Sequence, residues 1–235
     1  MGVRLARALL NPAHDSVVPS LVLADIAPLN DTALKADARV HSVTGDLRDL
    51  LSQRVLDGVH GVIHLAAAVS GECEAEIDVG LRANLDTTRI LLDACRGLSR
   101  PPRLVFSSSL AVFGGDMPDV IADNTLPMPQ NSYGTQKFIC EQLIADYTRR
   151  GYVDGRSVRL PTVTVRPGRP NKAASGFMSG MIREPLAGVD AVCPVDPFTG
   201  VWITSPRYAV AGLIAAYSTP QERWGSRIAV NLPGL

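Results

Sequence analysis

Short apolar runs alternate with longer amphipathic stretches along this chain. SLVLAD (20–25), VHSVTGD (40–46), GVIHLAAA (61–68) and RLVFSSS (103–109) have strand length and are rich in Val, Leu and Ile. Between them, apolar positions recur at helical spacing. Over 78–97, Leu81, Leu85, Thr88, Leu92 and Cys95 fall at i, i+4, i+7, i+11 and i+14, and 132–150 carries a second such stripe. Strands apolar on both faces and separated by helices predict an α/β fold, a parallel sheet covered on both sides. VRLPTVTV (158–165) adds a strand in which Pro161 removes a ladder donor, marking an end, bulge or edge. RPGRPNKAASG then changes the character of the chain, which divides it into a larger domain, 1–165, and a smaller region, 166–235. The opening MGVRLARALL reads as an amphipathic helix stopped at Asn11-Pro12.

Composition narrows the function classes. With 235 residues and 46% apolar content the chain buries a real core and suits one domain, or one and a part. Lys plus Arg (23) equals Asp plus Glu (23), with no long run of one sign, so neither nucleic acid nor an anionic membrane is expected as partner. No apolar run approaches the roughly 20 residues of a membrane span, and the N-terminal stretch lacks a signal-peptide core, which together predict a cytoplasmic protein. Cys73, Cys95, Cys140 and Cys193 form no CxxC pair and suit reduced thiols. His14, His41, His60 and His64 show no HExxH-like spacing, so no metal site is expected.

Several positions carry candidate chemistry. Asp25 closes a strand pattern where a dinucleotide fold places a carboxylate for the adenosine ribose; the alternative is a turn or cap aspartate. Asp46 and Leu47 follow the next strand, where the acid could meet the adenine amine or close a turn. Leu65, Ala66 and Ala67, followed by Ser70, offer small residues that allow close ligand approach, or helix packing. Ser107, Ser108 and Ser109 bring three hydroxyls to one strand end, and composition does not choose among them. Tyr133, Lys137, Cys140, Ile144 and Tyr147 share one helical stripe, an unusual place for a lysine because a buried ammonium must be paired or bound. A cation beside a tyrosine favours its ionised form, and a nearby serine hydroxyl can hold a reacting oxygen while the tyrosine takes the proton. Asn84, on the edge of its helix stripe, could tie the lysine to a water or be a satisfied buried amide.

In this order, Asp25, Asp46, HLAAAVS, Asn84, FSSSLAVFGG and YGTQK resemble the extended short-chain dehydrogenase/reductase family over essentially the whole chain. The resemblance implies a Rossmann-type doubly wound parallel sheet, with 1–165 as the NAD-binding domain and 166–235 as a partial substrate-binding region, NAD as cofactor, Ser109 as substrate-oxygen holder, Tyr133 as general base, Lys137 as its electrostatic partner and nicotinamide-ribose ligand, and Asn84 as the family's helix asparagine. It also implies cofactor contacts at Asp25, Asp46, Leu47, Leu65, Ala66 and Ala67, a substrate contact at Ser70, and a homodimer through the helices bearing Tyr133 and Asn84.

Residues 158–188 and SYGTQK are most similar to the D-erythronate dehydrogenases, which oxidise the 2-hydroxyl of a four-carbon sugar acid with NAD. By position, Pro167 and Gly168 would border the nicotinamide, and Asn171, Lys172, Ser175 and Arg183 would face substrate. A carboxylate substrate needs a cation, and Lys172, Arg183 and Arg207 are the supply. A carboxylate at Asp25 would repel a 2'-phosphate, which favours NAD over NADP. The alternatives are a nucleotide-sugar epimerase or dehydratase, and a non-catalytic dinucleotide-binding fragment. The family's glycine-rich phosphate loop is missing: Gly2 resembles its last glycine, and the strand before it would lie centrally, between those at 20–25 and 61–66. The carboxyl end, NLPGL, is short as well. The expectation is a chain cut at both ends that binds NAD weakly or not at all.

Overall fold

The structure is a computed structural model that describes residues 1–13, 18–166 and 173–235. It opens with helix α1 (Gly2–Leu10), followed by β1 (Leu21–Asp25), α2 (Thr32–Ala36), β2 (Val40–Thr44), α3 (Leu47–Ser52) and β3 (Gly61–His64). The middle of the chain contains α4 (Ser70–Ala75), α5 (Ile77–Gly80), a π-helical turn at Leu81–Asp86, α6 (Thr87–Arg96), β4 (Arg103–Ser109), a 3-10 turn at Leu110–Val112, α7 (Ser132–Arg149) and β5 (Asp154–Leu160). It closes with β6 (Thr162–Val163), α8 (Gly176–Leu186), β7 (Ile203–Thr204), α9 (Pro206–Ser218), α10 (Gln221–Trp224) and β8 (Ala229–Asn231).

Every strand pair is parallel, as expected where crossover helices cover both faces. The main sheet runs β3-β4-β5-β8, while β1-β2 and β6-β7 form separate two-stranded pieces. Pairing among the described residues therefore stops between β1 and β3. Helix α1 reaches across this break. Its Leu5 and Leu9 pack with Val210 and Ile214 of α9, together with Leu21 and Ile63, and its Ala6 and Leu10 pack over Leu34, Leu23 and Val40. Apolar contact thus joins what hydrogen bonds do not. The largest core cluster lies on the other side of β4, where Leu91, Leu92 and Cys95 of α6 meet Leu104, Phe106, Cys140 and Ile144.

Three sequence expectations change in detail. The helix read over 78–97 is α5 and α6 joined by the π turn, a rare geometry that bulges one residue out of the ladder. The strand read over 158–165 breaks at Pro161: β5 ends at Leu160, and β6 turns away to pair with β7. The region after 166 is not separate from the sheet throughout, because α9 packs over β4 and β5, and β8 pairs with β5 through Val158↔Val230. Arg156 ties these pieces. Fully buried on β5, it donates to the Ala216 and Thr219 carbonyls at the end of α9 and pairs with Asp154, so a cation meets the negative end of that helix.

Candidate active site

The three serines at the end of β4 do different jobs. Alternation along a strand sends Ser107 and Ser109 to one face and Ser108 to the other. The Ser108 hydroxyl goes inward to Glu141 Oε1 at 2.5 Å, and Glu141, itself wholly buried, takes Arg159 of β5 in a bidentate pair at 2.8–3.3 Å. The Ser107 carbonyl accepts from Lys137 Nζ at 2.9 Å. The Ser109 hydroxyl accepts from the Ala111 N–H at 3.1 Å and opens the 3-10 turn.

Helix α7 brings the tyrosine to this edge. Asn131 caps it, its side chain accepting from the Gly134 N–H at 2.7 Å, and Gly134 lies against the turn after Ser109 so closely that a Cβ there would stand 2.0 Å from the Ala111 carbonyl oxygen. Lys137, one turn on, is 2% exposed; its ammonium lies 4.6 Å from the Phe106 ring centroid and 5.6 Å from that of Tyr133. A buried charge held by one carbonyl and two rings sits beneath a half-buried tyrosine whose neighbour touches the serine turn.

Around this core, β3 ends beside β4 with His64 opposite Phe106, so Leu65, Ala66 and Ala67 continue next to the serines, and both alanines are exposed. Asn84, 2% exposed, binds the Ala68 N–H and carbonyl, Cys73 and Gln136 Oε1, rather than Lys137. From the π turn its side chain holds the loop after β3. It is a positioning residue for that loop.

Asp25 is exposed at the end of β1, with Oδ1 accepting from the Ala27 N–H. Asp46 caps α3 and pairs with Arg48, which holds its carboxyl down at about 2. Leu47 begins α3 and packs on the core.

On the far side, Ser70, first residue of α4, accepts from the Ala174 N–H at 2.9 Å and so ties the segment before α8 to the end of the loop after β3. Ser175 accepts from Arg166, whose carbonyl in turn accepts from Arg183; the Arg183 charge is paired with Glu184. Arg207 is exposed in the first turn of α9 and joins no described contact of this cluster. Pro167, Gly168, Asn171 and Lys172 lie outside the described residues.

Sequence reasoning named Ser108 only as one of three serines, and missed its partners Glu141 and Arg159, and also Arg166. Glu141 could have been found, since it stands four residues beyond Lys137 on the same buried stripe. Arg166 gave no signal, being one of several basic residues in a proline-rich stretch. Burial lowers its pKa.

Such an edge on a parallel sheet is the architecture of Rossmann-type enzymes. Over residues 1–198 the sequence matches the NAD dependent epimerase/dehydratase family, and the chain belongs to that family. It is 50% identical to a D-erythronate dehydrogenase from Cupriavidus necator, over 100% of this chain and 74% of that protein. The D-erythronate dehydrogenase of Haemophilus influenzae is 44% identical over the same shares. The crystal structure of a nucleoside-diphosphate-sugar epimerase from Agrobacterium tumefaciens superposes with a TM-score of 0.90 at 41% identity, covering 99% of this chain and 70% of that one.

Proposed function

We propose that the chain oxidises the 2-hydroxyl of a four-carbon sugar acid, D-erythronate, to the 2-oxo acid, with Tyr133 as general base. The observation that carries the reading is the buried Lys137 ammonium under Tyr133, fixed on the Ser107 carbonyl beside the Ser109 hydroxyl. NAD, when bound, supplies the hydride acceptor. Its fit rests on the exposed Asp25 carboxylate at the end of β1, suited to ribose hydroxyls, and on exposed Ala66 and Ala67, which leave room beside the serines. The Ser109 hydroxyl holds the substrate oxygen, and Tyr133 accepts its proton as the C–H bond gives up its electron pair. Lys137 stabilises the negative charge on the tyrosine oxygen before that transfer. One hydroxyl becomes one carbonyl, and the proton leaves through the tyrosine.

The substrate comes from the relatives, since fold alone does not separate a sugar-acid dehydrogenase from a sugar-nucleotide epimerase. The likeness to the Agrobacterium epimerase makes the second reading specific. Following NADH absorbance with D-erythronate and with UDP-sugars decides: growth with the acid supports the dehydrogenase, and isomerised UDP-sugar without net NADH overturns it. Tyr133→Phe is expected to lower turnover about 10²–10⁴-fold, the usual worth of a positioned base, with NAD affinity by calorimetry unchanged. Full turnover in that variant removes Tyr133 from the reaction.

A further inference from the structure

Arg166 stands out among the arginines that are buried or half-buried. Arg39, Arg48, Arg103, Arg156, Arg159 and Arg183 each have a carboxylate at ion-pair distance. Arg166 has none among the described residues. Its Nε donates to the Val163 carbonyl and its Nη2 to the Ser175 hydroxyl, both at 3.0 Å and both neutral acceptors. The acid on α8 is committed elsewhere, because Glu184 pairs with Arg183. A guanidinium withdrawn from water without a counter-charge is costly, and an anion delivered to it is correspondingly favoured.

Its setting says where that anion would come from. The Arg166 backbone is held at both ends, its N–H donating to Ser179 Oγ at 3.0 Å and its carbonyl accepting from Arg183 Nη1 at 2.9 Å. Ser175, which takes the guanidinium, adjoins Ala174, which is bound to Ser70 at the start of α4, where the segment after β3 ends. The side chain is therefore pinned where the start of α8 meets the segment after β3, which runs beside the serine end of β4.

Resting on the function proposed above, we propose that Arg166 takes the carboxylate of the sugar-acid substrate and so sets the preference for acids over neutral sugars. In a 2-hydroxy acid the carboxylate is bonded to the very carbon that reacts. A cation near the tyrosine then fixes both ends of the reacting unit at once. Arg183, a candidate from sequence, instead acts at one remove by holding the Arg166 backbone, and exposed Arg207 stands outside this contact network.

The test compares D-erythronate with its neutral amide, which keeps the same 2-hydroxyl, by NADH production in wild type, Arg166→Gln and Arg166→Lys. For the glutamine variant, kcat/KM on the acid is expected to fall about 100-fold, mostly through KM, and on the amide less than about threefold, with lysine restoring part of the loss. Unchanged kcat/KM on the acid, or an equal fall on acid and amide, overturns the assignment while leaving the proposed function standing. A wild type that does not oxidise D-erythronate overturns both. Should the glutamine variant fail to fold, the lysine variant decides. A KM raised for the acid alone supports the role, and a KM unchanged for both substrates overturns it.

Discussion

Gly134 shows how much one missing methyl group decides. It lies directly after the tyrosine, and its Cα faces the carbonyl of Ala111 in the turn that Ser109 opens. A Cβ would meet that backbone oxygen at 2.0 Å and the Ala111 carbonyl carbon at 2.8 Å, and neither can swing aside as a flexible side chain could. Its conformation is ordinary helix, so the demand for glycine comes from close approach and not from backbone angles. Gly134→Ala must therefore part α7 from the serine turn. We expect a loss of about 1–3 kcal/mol in urea unfolding, the range for overpacking, and a larger fractional fall in kcat than in NAD affinity. A variant with wild-type stability and turnover would mean that the two elements do not touch as described.

Between elements, the same site depends on a buried ion pair. Glu141 of α7 and Arg159 of β5 are both buried, and Ser108 of β4 completes the link, so three elements are fastened one residue from Ser109. A buried pair adds little net stability against an apolar replacement, but removing one partner strands the other. Glu141→Gln is expected to cost about 3–5 kcal/mol, whereas Glu141→Leu combined with Arg159→Met recovers much of that stability; urea midpoints measure both. Recovered stability without recovered turnover would show that the pair places the serine turn as well as holding the fold. This is also where the sequence was legible and where it stopped. The stripe Tyr133, Lys137, Cys140, Ile144 announced both the helix and its odd lysine, and strand alternation sorts Ser107, Ser108 and Ser109 once a partner is known. The partner was not readable: Arg159 pairs across 18 residues of sequence, and no local pattern says which acid a strand arginine meets. Asn84 was visible as an anomaly, but its partners Ala68 and Gln136 stand 16 and 52 residues away in sequence, beyond any local pattern.

At the scale of the whole molecule, a sheet paired in two pieces across β1 and β3 relies on side-chain packing around β3, and His64 at the end of that strand makes the packing sensitive to acid. His64 is 3% exposed, stacks near Phe106, and shares a 3.1 Å hydrogen bond with Thr88 Oγ1. The Thr88 hydroxyl donates to the Asn84 carbonyl at 2.6 Å, so it must accept from His64, which assigns the proton to Nε2 of a neutral ring. Burial first, and the nearby Lys137 ammonium second, push the His64 pKa down from 6.5 to about 3. Between those values the unfolded chain binds the proton and the folded one does not, so stability is present above about pH 6.5 and is lost as pH falls toward 3, by up to about 1.4 kcal/mol per unit. The aspartates act later. Arg39 and Arg48 hold Asp37 and Asp46 at about 2, so their contribution is lost only as pH falls from 3.8 toward 2. Urea midpoints between pH 6.5 and 4.5 therefore isolate the histidine, and His64→Gln, which can keep a donor to Thr88, is expected to flatten the slope there. A wild-type midpoint that stays level across this interval would mean that the ring is not buried neutral, and that water reaches the end of β3 beside the buried lysine.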